Sequence, residues 1–185
     1  MPKSTSLSRR RFVALAAPAA IVATSPAFSK GRPAAAVAKG DPMTTLTPYL
    51  LFDGSCHNAM EFYKSVFGGE LTSTKVKDSP AKDHMPAFQQ EKTINARLRS
   101  GPIEISASDW LMPNRIPVRG NTACLYLSGG TFEELKSLFA KLSDGADVTD
   151  PLKEMFFGAY GALNDKFGVR WMFQSAPSTA KLNPS

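Results

Sequence analysis

Two short extended runs carry most of the chemistry available to this chain. In Ile103-Glu104-Ile105-Ser106, alternation puts Glu104 and Ser106 on the face opposite the two isoleucines. Glu104 is the catalytic candidate, a base or ligand if that face lines a site and a solvated strand residue if it does not. In Val169-Arg170-Trp171-Met172-Phe173-Gln174, the apolar set is Val169, Trp171 and Phe173, which leaves Arg170, Met172 and Gln174 on the other face. If Arg170 converges with Tyr49, Tyr126 and Met172, its cation would orient an anionic or aromatic ligand. The plainer alternatives are a rim arginine bridging to Asp165 or solvent, and a methionine lining an apolar cavity.

Cysteine and histidine add little. The chain has two of each, at Cys56, Cys124, His57 and His84, with no zinc-finger spacing. Cys56 and His57 are adjacent on an expected helix and diverge by about 100°, so they do not form a nucleophile–base pair. A Cys56–Cys124 disulfide is compatible with an oxidising compartment.

The elements that would position these residues repeat. Thr47 to Phe52 reads as a strand, and Ser55 to Phe67 as a helix with an apolar stripe of Ala59, Phe62, Tyr63, Val66 and Phe67, stopped by Gly68-Gly69. Extended runs follow at Glu70 to Lys77, Thr93 to Arg99 and Ile103 to Ser108, with the polar stretch Asp78 to Lys92 expected to be a mobile loop. The same order then recurs. Thr122 to Leu127 reads as a strand, and Thr131-Phe132-Glu133-Glu134 as a capping box opening a helix with the stripe Leu135, Leu138, Phe139 and Leu142. Runs at Val148 to Leu152, Phe156 to Leu163 and Val169 to Phe173 close the pattern, the last two joined by a turn at Asn164 to Gly168. The expected fold is α+β, two βαβββ modules whose curved sheets join side by side and leave a cleft away from the helices.

The ends read differently. Of 22 basic residues, Lys3, Arg9, Arg10 and Arg11 fall in the first 29 positions, which contain no acid. From Lys39 onward acids and bases balance at 16 each, which removes the electrostatic footprint that nucleic-acid binding needs. The basic cluster precedes the short apolar run Phe12 to Ala23 and a small-residue tail, the layout of a cleavable signal peptide. Ser8-Arg9-Arg10-Arg11-Phe12-Val13 resembles the twin-arginine export motif. The division is therefore a signal over 1–29, with cleavage as late as 38 as the alternative, a linker over 30–45, a folded part over 46–175 and a disordered tail over 176–185. The modules are expected at about 46–109 and 121–174. The expected location is periplasmic or secreted, with no membrane span in the mature protein.

Phe52-Asp53-Gly54-Ser55-Cys56, Ala59-Met60-Glu61-Phe62-Tyr63 and Phe67-Gly68-Gly69-Glu70-Leu71 resemble the opening of the PhnB-like proteins. Gly158-Ala159-Tyr160-Gly161 and Asp165 to Met172 resemble their close. That branch belongs to the vicinal oxygen chelate superfamily, with glyoxalases, bleomycin-resistance proteins and dioxygenases, and the likeness covers Leu46 to Gln174. The resemblance implies paired βαβββ modules and often a homodimer. It also implies that Cys56, part of the opening motif, is a buried free thiol.

Catalytic members hold a divalent metal through His or Glu on the first and last strands of each half, where it stabilises an oxyanion. Here Met172 stands in such a place, Glu104 is the matching residue of the first half, and the initial strands supply no partner. His84 would reach a cleft only if its loop folded over it. The expectation is a small-molecule binder with no four-ligand metal centre and no cofactor, Tyr49, Tyr126, Arg170 and Met172 lining its cleft. The alternative is a metal-dependent lyase or isomerase with atypical ligands, in which Glu104 is base or ligand. The fold alone does not choose between them.

Overall fold

A computed structural model describes residues 45–112 and 117–175. The expected signal peptide, the linker except Thr45, and the tail lie outside the described residues.

Both modules form in the expected order. The first runs β1 (Tyr49–Phe52), α1 (Cys56–Phe67), β2 (Glu70–Lys75), β3 (Thr93–Ser100) and β4 (Ile103–Asp109). The second runs β5 (Leu125–Ser128), α2 (Phe132–Leu142), β6 (Asp147–Met155), β7 (Gly158–Asn164) and β8 (Arg170–Gln174). Each makes a four-stranded sheet of one topology, β1-β4-β3-β2 and β5-β8-β7-β6, with the first strand parallel to the last. The fold class is α+β, as its alternating strands and amphipathic helices require. β5 starts at Leu125, three residues later than the β-propensity of Thr122 to Cys124 suggests, because only Leu125 onward has a partner, Trp171 onward in β8.

The helix starts are satisfied in two ways. The Thr131 hydroxyl accepts from the Glu134 N–H while the Glu134 carboxylate accepts from the Thr131 N–H, the expected capping box. Ser55 makes no side-chain cap at α1. Instead the Asp109 carboxylate, arriving from the end of β4, accepts from the N–H groups of Cys56 at 3.0 Å and Thr93 at 2.8 Å.

The stretch between β2 and β3 is not a mobile loop. Short 3₁₀ turns at Val76–Asp78, Lys82–His84 and Ala87–Gln89 fold it, and its own amides fix it. Gln90 donates to the carbonyls of Lys82 and Met85, and Gln89 to that of Leu111. Polar composition suggested solvation, but these side chains pair with backbone instead.

Each sheet is a separate hydrogen-bonded unit. No strand of one sheet is hydrogen-bonded to a strand of the other. They are joined through α1, whose apolar surface is wider than one sheet covers. Cys56, Ala59, Met60, Tyr63 and Val66 are buried, and Phe62 and Phe67 lie half-buried beside them. Tyr63 and Phe67 pack their rings on Trp171 of β8, each at 5.5 Å, and Phe62 packs on Phe167 at 5.8 Å. α2 covers the same face of the second sheet through Phe139 on Phe173 and also touches α1. One core thus joins both modules. Both helices pack into that core, and the face of each sheet turned away from it is its outer face.

Candidate functional site

Strand alternation decides which residues reach the two outer faces. In the second sheet Trp171 and Phe173 are buried inward, so Arg170, Met172 and Gln174 point outward and are half-buried. Register places Tyr126 opposite Met172, Tyr160 opposite Gln174 and Asn164 opposite Arg170. The Tyr126 hydroxyl donates to Gln174 Oε1 at 2.9 Å, which holds the ring over the sheet. Tyr160 meets Phe157 edge-on, and Phe157 meets Phe156 edge-on, carrying an aromatic row to the β6–β7 tip, where Phe156 is 91% exposed. Arg170 has no ion-pair partner among the described residues.

The rim role pairing Arg170 with Asp165 is not what the geometry provides. Asp165 is buried and its carboxylate accepts from Tyr63 Oη at 2.7 Å, Trp171 Nε1 at 2.8 Å, and the N–H groups of Phe167 and Val169. It ties the last turn to α1 and the core.

In the first sheet the outer face carries Tyr49 opposite Ser106, Leu51 opposite Ser108, and Glu104 opposite Arg99. Glu104 is held by two arginines of β3. Arg97 donates to Oε1 through Nε at 2.9 Å and also through Nη2, and Arg99 Nε donates to Oε2 at 3.2 Å. These bonds, Arg97 foremost, hold the Glu104 carboxyl below the usual carboxylate range. A carboxylate so paired is a weaker base than a free one and presents its charge to the arginines.

Of the residues expected to line one site, the structure therefore brings Tyr126, Met172 and Arg170 together and places Tyr49 and Glu104 on a separate face. The two sheets also align internally. In each, an exposed residue of the first strand lies opposite one of the last, Leu51 opposite Ser108 and Tyr126 opposite Met172. Ser108, Gln174 and Tyr160 were not singled out from sequence. Alternation along β4, β7 and β8 marks their faces, but their partners across the sheet required the register.

The donor set does not fit a four-ligand divalent metal. The outer faces of β4 and β8 offer the hydroxyls of Ser106 and Ser108 and the thioether of Met172, a poor ligand for hard or borderline ions. Glu104 is occupied by arginines, and His57 and His84 are both exposed. Among the described residues no three of His, Cys, Asp and Glu gather as a metal-binding group. Nor is any described helix long and apolar enough to cross a membrane.

The comparisons agree with this architecture. The family model described as 3-demethylubiquinone-9 3-methyltransferase matches residues 44–174. Protein YjdN of Escherichia coli is 30% identical over 137 residues, spanning 69% of this chain and 92% of that protein. The crystal structure of protein PA1353 from Pseudomonas aeruginosa is 32% identical, covers 74% of this chain and all of that one, and superposes with a TM-score of 0.64. A PhnB protein from Bacillus cereus, described as a putative 3-demethylubiquinone-9 3-methyltransferase, is 26% identical with a TM-score of 0.58, covering 72% of this chain and 100% of its own. The fold is the one found in glyoxalase and bleomycin-resistance proteins.

Proposed function

Because the chain belongs to the PhnB-like, 3-demethylubiquinone-9 3-methyltransferase-like family, we propose that it is an exported protein that binds a small molecule on its outer sheet faces. The observation that carries this is the second outer face. It combines an ordered Tyr126, Met172 and Tyr160 with the unpaired cation of Arg170. Apolar surface with few placed polar groups is the usual make-up of a small-molecule site. Arg170 selects an anionic group on the ligand, and the aromatic row selects a flat or apolar body.

Each outer face is only half of a cleft. Tyr49 and Tyr126 are about half exposed, 51% and 49%, and Leu51 is 44% exposed. A second copy would bring its first sheet over the second sheet of this chain, with Tyr49, Leu51 and the Arg97–Glu104–Arg99 cluster closing the site. This makes the homodimer the binding unit and Glu104 a positioning residue for the two arginines. Export rests on the twin-arginine-like motif at Ser8 to Val13. The family's description names methyl transfer, but this fold hosts unrelated chemistries, and the site's residues argue for binding.

Three measurements test the reading. Sedimentation velocity should give a dimer. Thermal-shift screening of small aromatic carboxylates should find ligands whose shift is lost in Arg170→Ala. Elemental mass spectrometry of the exported protein, purified without a histidine tag, should find no bound transition metal. Near one equivalent of metal, lost on Glu104→Gln, would overturn the binder and direct the search to lyase or isomerase substrates.

A further inference from the structure

The structure also holds a cavity. It is a groove of about 410 Å³ where the β3–β4 hairpin of the first module meets the β5–α2 junction of the second. Pro102, Ile103, Leu127, Leu135 and Leu138 supply its apolar walls. Leu127 and Leu135 belong to the core side of the second module, whereas Tyr126 and Met172 are on its outer face. Its volume falls within the range of about 300–1,000 Å³ common for small-molecule sites.

The polar part of its lining has one sign. Glu134 borders the groove, with Oε2 close against Gly130, where an added Cβ would meet it at 3.0 Å. That oxygen accepts from the Thr131 N–H and hydroxyl, which hold the Glu134 carboxyl below its usual range and keep it ionised. Among the described residues Glu134 has no ion-pair partner, and the side chain of Ser137, which also lines the groove, has no hydrogen-bond partner. Oε1 and the Ser137 hydroxyl therefore remain to accept hydrogen bonds from a ligand.

We infer that this groove is a second binding site, for a small apolar molecule carrying one protonated amine. The hydrocarbon part packs on Ile103, Leu127, Leu135 and Leu138. The ammonium donates to Glu134 Oε1 and to the Ser137 hydroxyl, and its third proton faces solvent.

The test is titration of the full-length chain with cyclohexylamine, cyclohexanol and cyclohexanecarboxylate, following the amide resonances of Gly129, Gly130 and Ser137. The amine should bind at least tenfold more tightly than either analogue. Glu134→Gln, which keeps an acceptor for the Thr131 N–H, should erase that preference. Ser137→Trp should fill the groove and abolish binding, while Arg170→Ala should leave it unchanged. Absent or equal binding of the three compounds would overturn the inference. So would groove resonances that move with protein concentration alone, meaning a second copy, or with Lys181→Glu in the absence of amine, meaning the chain's own tail.

Discussion

The Tyr63 hydroxyl donates a 2.7 Å hydrogen bond to the Asp165 carboxylate across 102 residues of sequence. The bond runs from the helix of the first module to the last turn of the second, beneath the Tyr63–Trp171 ring contact. It ties the two modules together through their shared core.

Tyr63→Phe removes that bond without changing the ring. Urea unfolding should show a loss of about 1–3 kcal/mol, the worth of a buried hydrogen bond to a charged acceptor. Asp165→Asn should cost more. Its amide presents N–H groups to a site where four donors already converge. Equal stability of either variant to the parent would show that aromatic packing alone joins the modules.

Gly168 follows that aspartate at φ 78°. A Cβ there would lie 2.2 Å from Arg119 Nη1, but Arg119 is an exposed, flexible side chain that can swing aside. Backbone strain should then dominate: Gly168→Ala should cost about 1–2 kcal/mol, the penalty for an L-residue in the left-handed region. Adding Arg119→Ala should recover little of it. Substantial rescue in the double mutant would make the steric contact the main cause.

Glu104 should leave a signature at low pH. Its folded-state pKa is lowered, so the stability it contributes is present above the unfolded value of about 4.3 and is lost as pH falls through the lower folded value. The stability gap between the parent and Glu104→Gln should therefore close on acidification below about pH 4. It should also shrink in 1 M salt, since the cluster is open to solvent. A gap independent of both would mean that Glu104 acts through packing.

The two cysteines should behave oppositely. Cys56 is fully buried, and burial, reinforced by the Asp109 carboxylate, pushes its thiol up to about 12. Cys124 is exposed, and both are free. A chromogenic disulfide reagent should titrate one thiol per native chain and two after denaturation. Because the folded pKa is raised, the contribution of Cys56 is whole below its unfolded pKa, about 8.5, and declines as pH rises toward about 12. Cys56→Ala should flatten the alkaline loss of stability. Two reactive thiols in the native chain would contradict the burial.

The sequence by itself determined the elements and the faces. Alternation in Ile103 to Ser106 and Val169 to Gln174, the capping box at Thr131 and the helical stripe of α1 depend only on neighbours along the chain. All of them stand in the structure. The order strand, helix, three strands, twice over, is likewise local information read in sequence, and it was enough to specify the fold class.

Only the tertiary structure decided which surfaces meet. A periodic pattern marks Phe62 and Phe67 as apolar, but it does not say that Phe167 and Trp171 will cover them. Sheet order and register placed Tyr49 and Glu104 on one sheet and Tyr126, Met172 and Arg170 on the other, with the groove beside Glu134 where the modules meet. The same holds for charge. Nothing along β3 and β4 says that Arg97 and Arg99 will close on Glu104, because the register between strands sets those distances. Hydrophobic burial is non-directional. It tells each element what to hide, and the choice of partner follows from shape and connectivity once all the elements are present.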